Sequence, residues 1–224
     1  MERAFDIVFS LIVLTLALPA LVLVPLGILI SDPGPVFYRA ARVGRGGQVF
    51  DMLKFRSMRV SSRGPLITAA HDRRVFAFGK VIRALKLDEI PQLFNVLRGD
   101  MAIIGPRPED PSIVAAHYTD WMHETLQVTP GLTSFGSVFY YARGEALIDE
   151  ADPEGTYVRR LLPLKLAVDR AHLGQRTLLN DFRVIALTAR AVLSKVLGRP
   201  MRLAQIDFAT AGQWASFAQV SDLD

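Results

Sequence analysis

The stretch LDEIPQLFNVLRGDMAIIGPRP, Leu87 to Pro108, places the carboxylates Asp88 and Glu89 just before Pro91 and ends with Arg107 between two prolines. Carboxylates at a helix start stay ionised, as a nucleophile or a metal ligand requires. A guanidinium held in a stiff turn is pre-oriented to grip phosphate through two hydrogen bonds. Arg83, Lys86 and Arg98 lie close by in sequence. Carboxylates among cations describe a magnesium-dependent phosphoryl-transfer site. The same residues also fit a structural role. Asp88 would then cap a helix with Pro91 in its first turn, and Arg107 would make a surface salt bridge.

Other chemistries lose support. His71, His117, His123 and His172 lack metal-ligand spacing, and there is no nucleophile elbow or dinucleotide fingerprint. The chain of 224 residues has no cysteine, which excludes disulfides and thiolate metal sites. Half its residues are hydrophobic and its net charge is +4. That balance suits anionic lipid or an anionic substrate better than nucleic acid.

The site needs elements to position it. Ile7 to Ile30 carries no charge. A straight helix over it would be about 36 Å long, enough to cross a hydrocarbon core of about 30 Å. The run exceeds a typical signal-peptide core, and no clear cleavage site follows. Pro19 and Pro25 each remove a backbone donor and favour a bend. The hydroxyls of Ser10 and Thr15 are candidates to satisfy the freed carbonyls. Arg3 precedes the segment, and Arg39, Arg42, Arg45, Lys54, Arg56 and Arg59 follow it. Cations on both flanks suit two ends on the cytoplasmic side. A single span and a re-entrant hairpin bent at Pro19 both remain open.

Ser31 to Pro35 (SDPGP) breaks the chain. Two β-favouring runs then flank Gly44-Arg45-Gly46-Gly47, which reads as a β-hairpin turn and lacks the spacing of a phosphate loop. Lys54, Arg56 and Arg59 lie at the exit of the hairpin, suited to lipid headgroups or to a phosphorylated substrate. Val60 to Asp72 reads as loop. Apolar spacing predicts helices over Arg74–Leu85, Leu93–Leu97 (stopped by Gly99), Ser112–Gln127, Leu161–Ala171 and Arg176–Leu197. In the last of these Phe182, Ile185, Ala189, Val192 and Val196 share a face. That face either packs on the core or lies on a membrane surface. The tail from Pro200 to Asp224 gives few signals.

The blocks RAFDI, GPVFYRAARVG, FDMLKFRSM, LDEIPQLFNVLRGDMAIIGPRP, VTPGLT and KLAVDRAHLGQRTLLNDFRVI together resemble the monotopic bacterial phosphoglycosyl transferases, or bacterial sugar transferases, in their small, catalytic-core-only form. The resemblance runs from about Arg3 to Leu197. It implies transfer of a phospho-sugar from a nucleotide diphosphate sugar, usually a UDP-sugar, to a polyprenyl phosphate such as undecaprenyl phosphate, with release of UMP. Asp88 would be the nucleophile, attacking the β-phosphorus to form an aspartyl phospho-sugar that the lipid phosphate then displaces. Asp88 and Glu89 would attend Mg²⁺, with Glu89 supporting either the metal or proton handling. Lys54, Arg83 and Arg107 would hold phosphates. The family's proline-bent re-entrant helix matches Pro19 and favours the hairpin. The chain departs from the family pattern at Lys86, where a small hydroxyl residue is usual. It departs again at Ser134, where glycine is usual, and through SFGSVFYY after it.

The expected fold is α+β and mostly α, with an N-terminal re-entrant helix hairpin, a small β-hairpin and amphipathic interfacial helices. Residues 1–31 would anchor the chain in a bacterial inner membrane, 32–199 would form a catalytic domain on the cytoplasmic face, and 200–224 a tail of unassigned role. Expected partners are the UDP-sugar, the polyprenyl phosphate and the bilayer, with downstream glycosyltransferases or a second copy as further candidates, and no nucleic acid. The competing readings are a non-enzymatic membrane adaptor with a basic face, and a metal-dependent membrane phosphatase needing no lipid acceptor.

Overall fold

Two helices begin the chain. Helix α1 (Glu2–Leu16) and helix α2 (Leu18–Ser31) meet at Ala17 with a bend of 60°. Pro19 sets the break although it lies just beyond it. Its ring crowds the carbonyl four residues earlier, so the chain restarts as a helix with proline in the first turn. Pro25 lies inside α2 without ending it. The expected hydroxyl partners do not serve the freed carbonyls. Thr15 Oγ1 donates to Leu11 O at 2.8 Å, and Ser10 Oγ is buried with no hydrogen-bond partner. No single helix among the described residues is long and apolar enough to cross a membrane. The computed structural model describes residues 2–60, 72–142, 144–149, 151–174, 176–199 and 201. The expected loop at 61–71, His71 and nearly all of the tail lie outside these residues.

Both ends of the bent pair are fastened to the same body. Arg3 donates to the carbonyls of Val96 and, at 2.7 Å, Leu97, and Asp6 Oδ1 accepts from the N–H of Ile103 at 2.9 Å. At the other end Arg56 donates to Asp32 and, at 2.5 Å, to Pro35 O. Arg56 is buried. It is therefore a structural clamp, neither a headgroup nor a substrate contact. Between these anchors the outer faces of the arms expose Val8, Leu11, Ile12, Leu16, Leu18, Val22, Leu23 and Leu26.

The β-hairpin forms as expected. Strands β1 (Phe37–Val43) and β2 (Val49–Phe55) pair antiparallel, from Phe37 opposite Phe55 to Val43 opposite Val49. The turn takes positive φ at Gly46 and Gly47, which only glycine adopts cheaply. Helix α3 (Ala77–Ala84) is shorter than its apolar spacing suggested, because Val75 bridges to Met58 instead. Helix α4 (Gln92–Arg98) stops at Gly99. Two very short strands, β3 (Ala102–Ile104) and β4 (Gly131–Thr133), pair in parallel. The single helix expected over Ser112–Gln127 is broken into α5 (Pro111–His117), α6 (Asp120–His123) and a 3₁₀ turn. Tyr118 goes extended there, and Tyr118, Trp121 and Met122 all pack onto Ile113, Leu162 and Leu166. Helix α7 (Phe135–Ala142), a one-turn α8 (Pro153–Thr156), α9 (Leu162–Gly174) and α10 (Leu178–Val196) complete the order.

Met52, Leu93, Val96, Met101, Ile103 and Ile104 form the main core under α1, joined by Phe135 and Val184. Of the two roles left open for the apolar stripe of α10, the structure leaves most of that face outward, with Ile185 packed against the core. Val184 and Ala191 are buried, whereas Phe182, Ala189 and Val196 are exposed. The exposed ring of Phe182 meets Phe5 of α1 edge-on at 6.0 Å.

Helix α7 is tied to α9 by a bond from the N–H of Gly136 to Asp169 Oδ1 at 2.7 Å. Burial pushes the Asp169 carboxyl up to about 7. A carboxyl with a raised folded pKa contributes stability that is complete below its ordinary value near 4. That contribution is lost as the pH rises to about 7. The melting temperature should therefore fall by a few degrees between pH 5 and pH 7.5. Asp169→Asn, which cannot titrate, should flatten that slope in a thermal unfolding series.

Candidate active site

Four segments converge on the acid pair. Strand β2 delivers Lys54, and its register against α4 is fixed by one buried side chain. Asn95 accepts from Leu53 N at 2.9 Å and donates to Asp51 O at 2.8 Å. The acids sit on a 3₁₀ turn, Leu87–Glu89, that leads through Pro91 into α4. Asp88 does not cap that helix. The residue before α4 is Pro91, and no side-chain cap bond is made. Arg107 arrives from the loop after β3. Gly105 and Gly131 make this possible, since a Cβ on Gly131 would lie 2.1 Å from Gly105 N. Only two glycines allow the strand ends to close to this distance.

Arg107 is the hub. It pairs with Glu89 Oε2 at 3.0 Å and donates to Gln92 Oε1 at 3.1 Å and to Leu132 O at 2.8 Å. Lys86 Nζ lies 3.8 Å from Glu89 Oε1, and Tyr141 OH from α7 donates to the same oxygen at 3.4 Å. Both Glu89 oxygens are thus taken. Burial alone would raise its pKa. Arg107, Lys86 and Lys54 outweigh that and hold it at about 2. Burial would lower the pKa of Arg107, but Glu89, then Tyr141, Asp88 and Glu109, outweigh it and raise it.

Asp88 is in the opposite condition. It is 6 % exposed, and Oδ1 has no hydrogen-bond partner among the described residues. Burial and then the neighbouring Glu89 raise its pKa, against Lys54, Lys86 and Arg83. Desolvation opposes the preference for the ionised form that a helix start was expected to give. Lys54 is itself lowered to about 8, chiefly by burial.

Lys54, Asp88, Glu89 and Arg107 are brought into one electrostatic cluster. Arg83 is half-buried on α3, and its charge acts on Asp88. Two members were not singled out from the sequence. Gln92 lies one helical turn after Asp88, and its Nε2 is buried without a partner. That i, i+4 spacing was the available signal. Tyr141 was marked only by its place in SFGSVFYY, the segment that departs from the family pattern, and nothing local tied that segment to the acid pair.

The two acids are suited to different work. A buried carboxylate with a free oxygen and an elevated pKa is a strong oxygen nucleophile once ionised. Glu89, fully engaged, fixes Arg107 in place. Two adjacent carboxylates with one oxygen unclaimed also fit a hard, oxygen-seeking cation such as Mg²⁺, which takes one or two carboxylates and completes its shell with water and substrate phosphate. Among the described residues no group of three or more His, Cys, Asp or Glu is placed to hold a metal ion.

The sequence model of the family described as "Bacterial sugar transferase" matches residues 1–195. The chain is 37% identical over 196 residues to a UDP-glucose:undecaprenyl-phosphate glucose-1-phosphate transferase of Xanthomonas campestris pv. campestris, covering 85% of this chain and 38% of that one. A protein of the same name from Caulobacter vibrioides is 33% identical over 202 residues, covering 86% and 70%. A UDP-N-acetylgalactosamine-undecaprenyl-phosphate N-acetylgalactosaminephosphotransferase of Aeromonas hydrophila is 34% identical over 199 residues, covering 86% and 44%. The chain therefore spans less than half the length of the Xanthomonas and Aeromonas relatives.

Removing one partner of a buried ion pair strands the other charge. Glu89→Gln should cost about 3 kcal/mol in a denaturant titration. A loss below about 1 kcal/mol would show the pair to be solvated.

Proposed function

The chain belongs to the bacterial sugar transferase family, and from that premise we propose that it moves a phospho-sugar from a UDP-sugar to a polyprenyl phosphate, releasing UMP. The relatives are named for UDP-glucose or UDP-N-acetylgalactosamine as donor and undecaprenyl phosphate as acceptor. The observation that carries the reading is Asp88 Oδ1, a buried carboxylate oxygen with no partner, set among Lys54, Lys86, Arg83 and Arg107.

The diphosphate of the donor binds the cations, with Arg107 offering its guanidinium and Lys54 its ammonium. Ionised Asp88 attacks the phosphorus that bears the sugar. The Asp88 O–P bond forms, the bond to the bridging oxygen breaks, and UMP leaves with that oxygen. A phosphate oxygen of the polyprenyl phosphate then attacks the same phosphorus and expels Asp88, giving the polyprenyl diphospho-sugar and the free carboxylate. Asp88 and Glu89 would hold Mg²⁺, which supplies neutralising charge to the diphosphate. A glutamate held at about 2 carries no proton at neutral pH. Of the two roles open to Glu89, supporting the metal is therefore favoured over proton handling.

The bent helix pair is read as a re-entrant hairpin in the cytoplasmic leaflet of a bacterial inner membrane. Its arms, at 15 and 14 residues, are each about 22 Å long, too short to cross alone a hydrocarbon core of about 30 Å. Both ends are tied to one body. The exposed Phe182 face of α10 continues this surface, as an amphipathic interfacial helix would. In this setting the protein performs the first membrane step of a surface polysaccharide or glycoconjugate.

Purified protein incubated with a panel of UDP-sugars and Mg²⁺ should release at most one equivalent of UMP per enzyme without lipid, and should turn over repeatedly only when undecaprenyl phosphate is added. Sustained release without lipid would favour a phosphatase, and none from any donor would remove the proposal. Asp88→Asn should abolish turnover while leaving the melting temperature unchanged or higher, since it relieves a desolvated charge.

Topology is open to direct test because the chain has no cysteine. Single cysteines at Arg3 and Ser31 should both react with an impermeant maleimide only from the cytoplasmic side. Labelling from opposite sides would establish a span.

A further inference from the structure

The two places where the chain departs from the family pattern, Lys86 and the segment after Ser134, meet in space. Lys86 Nζ rests 3.8 Å from the centroid of the Tyr141 ring. The backbone of Lys86 is left-handed, at φ 56°, the only positive φ of a non-glycine among the described residues. Such a conformation persists in a lysine only where its surroundings hold it. Tyr141 is well placed to do so. It is carried by α7, whose start is fastened to Asp169 of α9, and its hydroxyl reaches Glu89 Oε1 at 3.4 Å. The ammonium is therefore held between an aromatic face and Glu89, two residues from Asp88.

Resting on the phosphoglycosyl-transfer reading above, we propose that Tyr141 is a positioning residue that holds the Lys86 ammonium beside Asp88 as a further cation for the donor diphosphate. Arg107 approaches Glu89 from one oxygen and Lys86 from the other. The donor's phosphates are anionic throughout the reaction, and the developing charge on the leaving UMP needs cations fixed in place before it arrives. A lysine is a mobile point charge on a four-carbon stem. The Tyr141 ring removes that mobility. The ring is the essential part and the hydroxyl is not, because the ammonium sits over the aromatic face.

The test compares Tyr141→Phe, Tyr141→Leu, Lys86→Met and the double variant Tyr141→Leu/Lys86→Met in the full chain. KM for the UDP-sugar, KM for undecaprenyl phosphate and kcat are measured, with melting temperature recorded for each. Tyr141→Leu and Lys86→Met should each raise the donor KM about tenfold, the size of one partly desolvated cation–π contact. The lipid KM should not change, and Tyr141→Phe should stay within about twofold of the parent. The double variant should be no worse than either single, as expected for residues acting as one unit. Multiplying losses in the double variant, an unchanged donor KM in Lys86→Met, or a loss in Tyr141→Phe equal to that in Tyr141→Leu would each overturn the proposal. Lys86→Met keeps the inference testable if Tyr141→Leu fails to fold. An unsubstituted chain that releases no UMP overturns the parent reading instead, so the two failures are distinct.

Discussion

The buried pair of Glu89 and Arg107 is the constraint on which the site depends. Arg107 touches the acid turn through Glu89, the first turn of α4 through Gln92, and β4 through the carbonyl of Leu132. Removing two charges from water is costly, and the cost is offset only where geometry is good and remaining donors are satisfied. Here three partners supply that geometry. The short strands β3 and β4 bring the arginine to the right height, and the contact of Gly105 with Gly131 lets them approach. The pair thus ties the acid turn and the Arg107 loop into one rigid piece.

That rigidity divides two chemically similar acids. Asp88 and Glu89 are neighbours on one 3₁₀ turn, yet their environments push them in opposite directions. Glu89 has cations at both oxygens, and Asp88 keeps a desolvated oxygen with none bonded to it. An acid left unsatisfied in this way destabilises the fold. It persists because the surrounding pairs, Arg107 with Glu89 and Asn95 with β2, hold the turn in place.

The chemistry was more legible in the sequence than the packing. Asp88, Glu89 and Arg107 stood out as charges set among prolines and Lys54 as one of three cations at the hairpin exit, while their roles came only from the family resemblance. The β-hairpin and the stop at Gly99 were legible because both depend on local backbone rules. What failed depends on partners distant in sequence. Which of the two roles left open for the apolar face of α10 applies is set by Val138 of α7 and by the core residues that receive Val184. The break at Tyr118 is set by the Ile113 and Leu166 cluster. Asp88 looked like an exposed cap because burial cannot be read from a dipeptide, and β3 and β4 are too short to show a period.

The anchoring of α1 has a consequence for synthesis. The groups that receive Arg3 and Asp6 are Val96, Leu97 and Ile103, some hundred residues later in the chain. At ~5–20 residues per second, the ribosome takes roughly 5–20 s to reach them. Through that interval the most apolar stretch of the polypeptide has emerged without the protein surface that will hold its entry point. Its first partner must come from outside the chain, whether a chaperone or lipid. The helix pair therefore commits to its surroundings before the body exists, and the body closes onto a segment already placed.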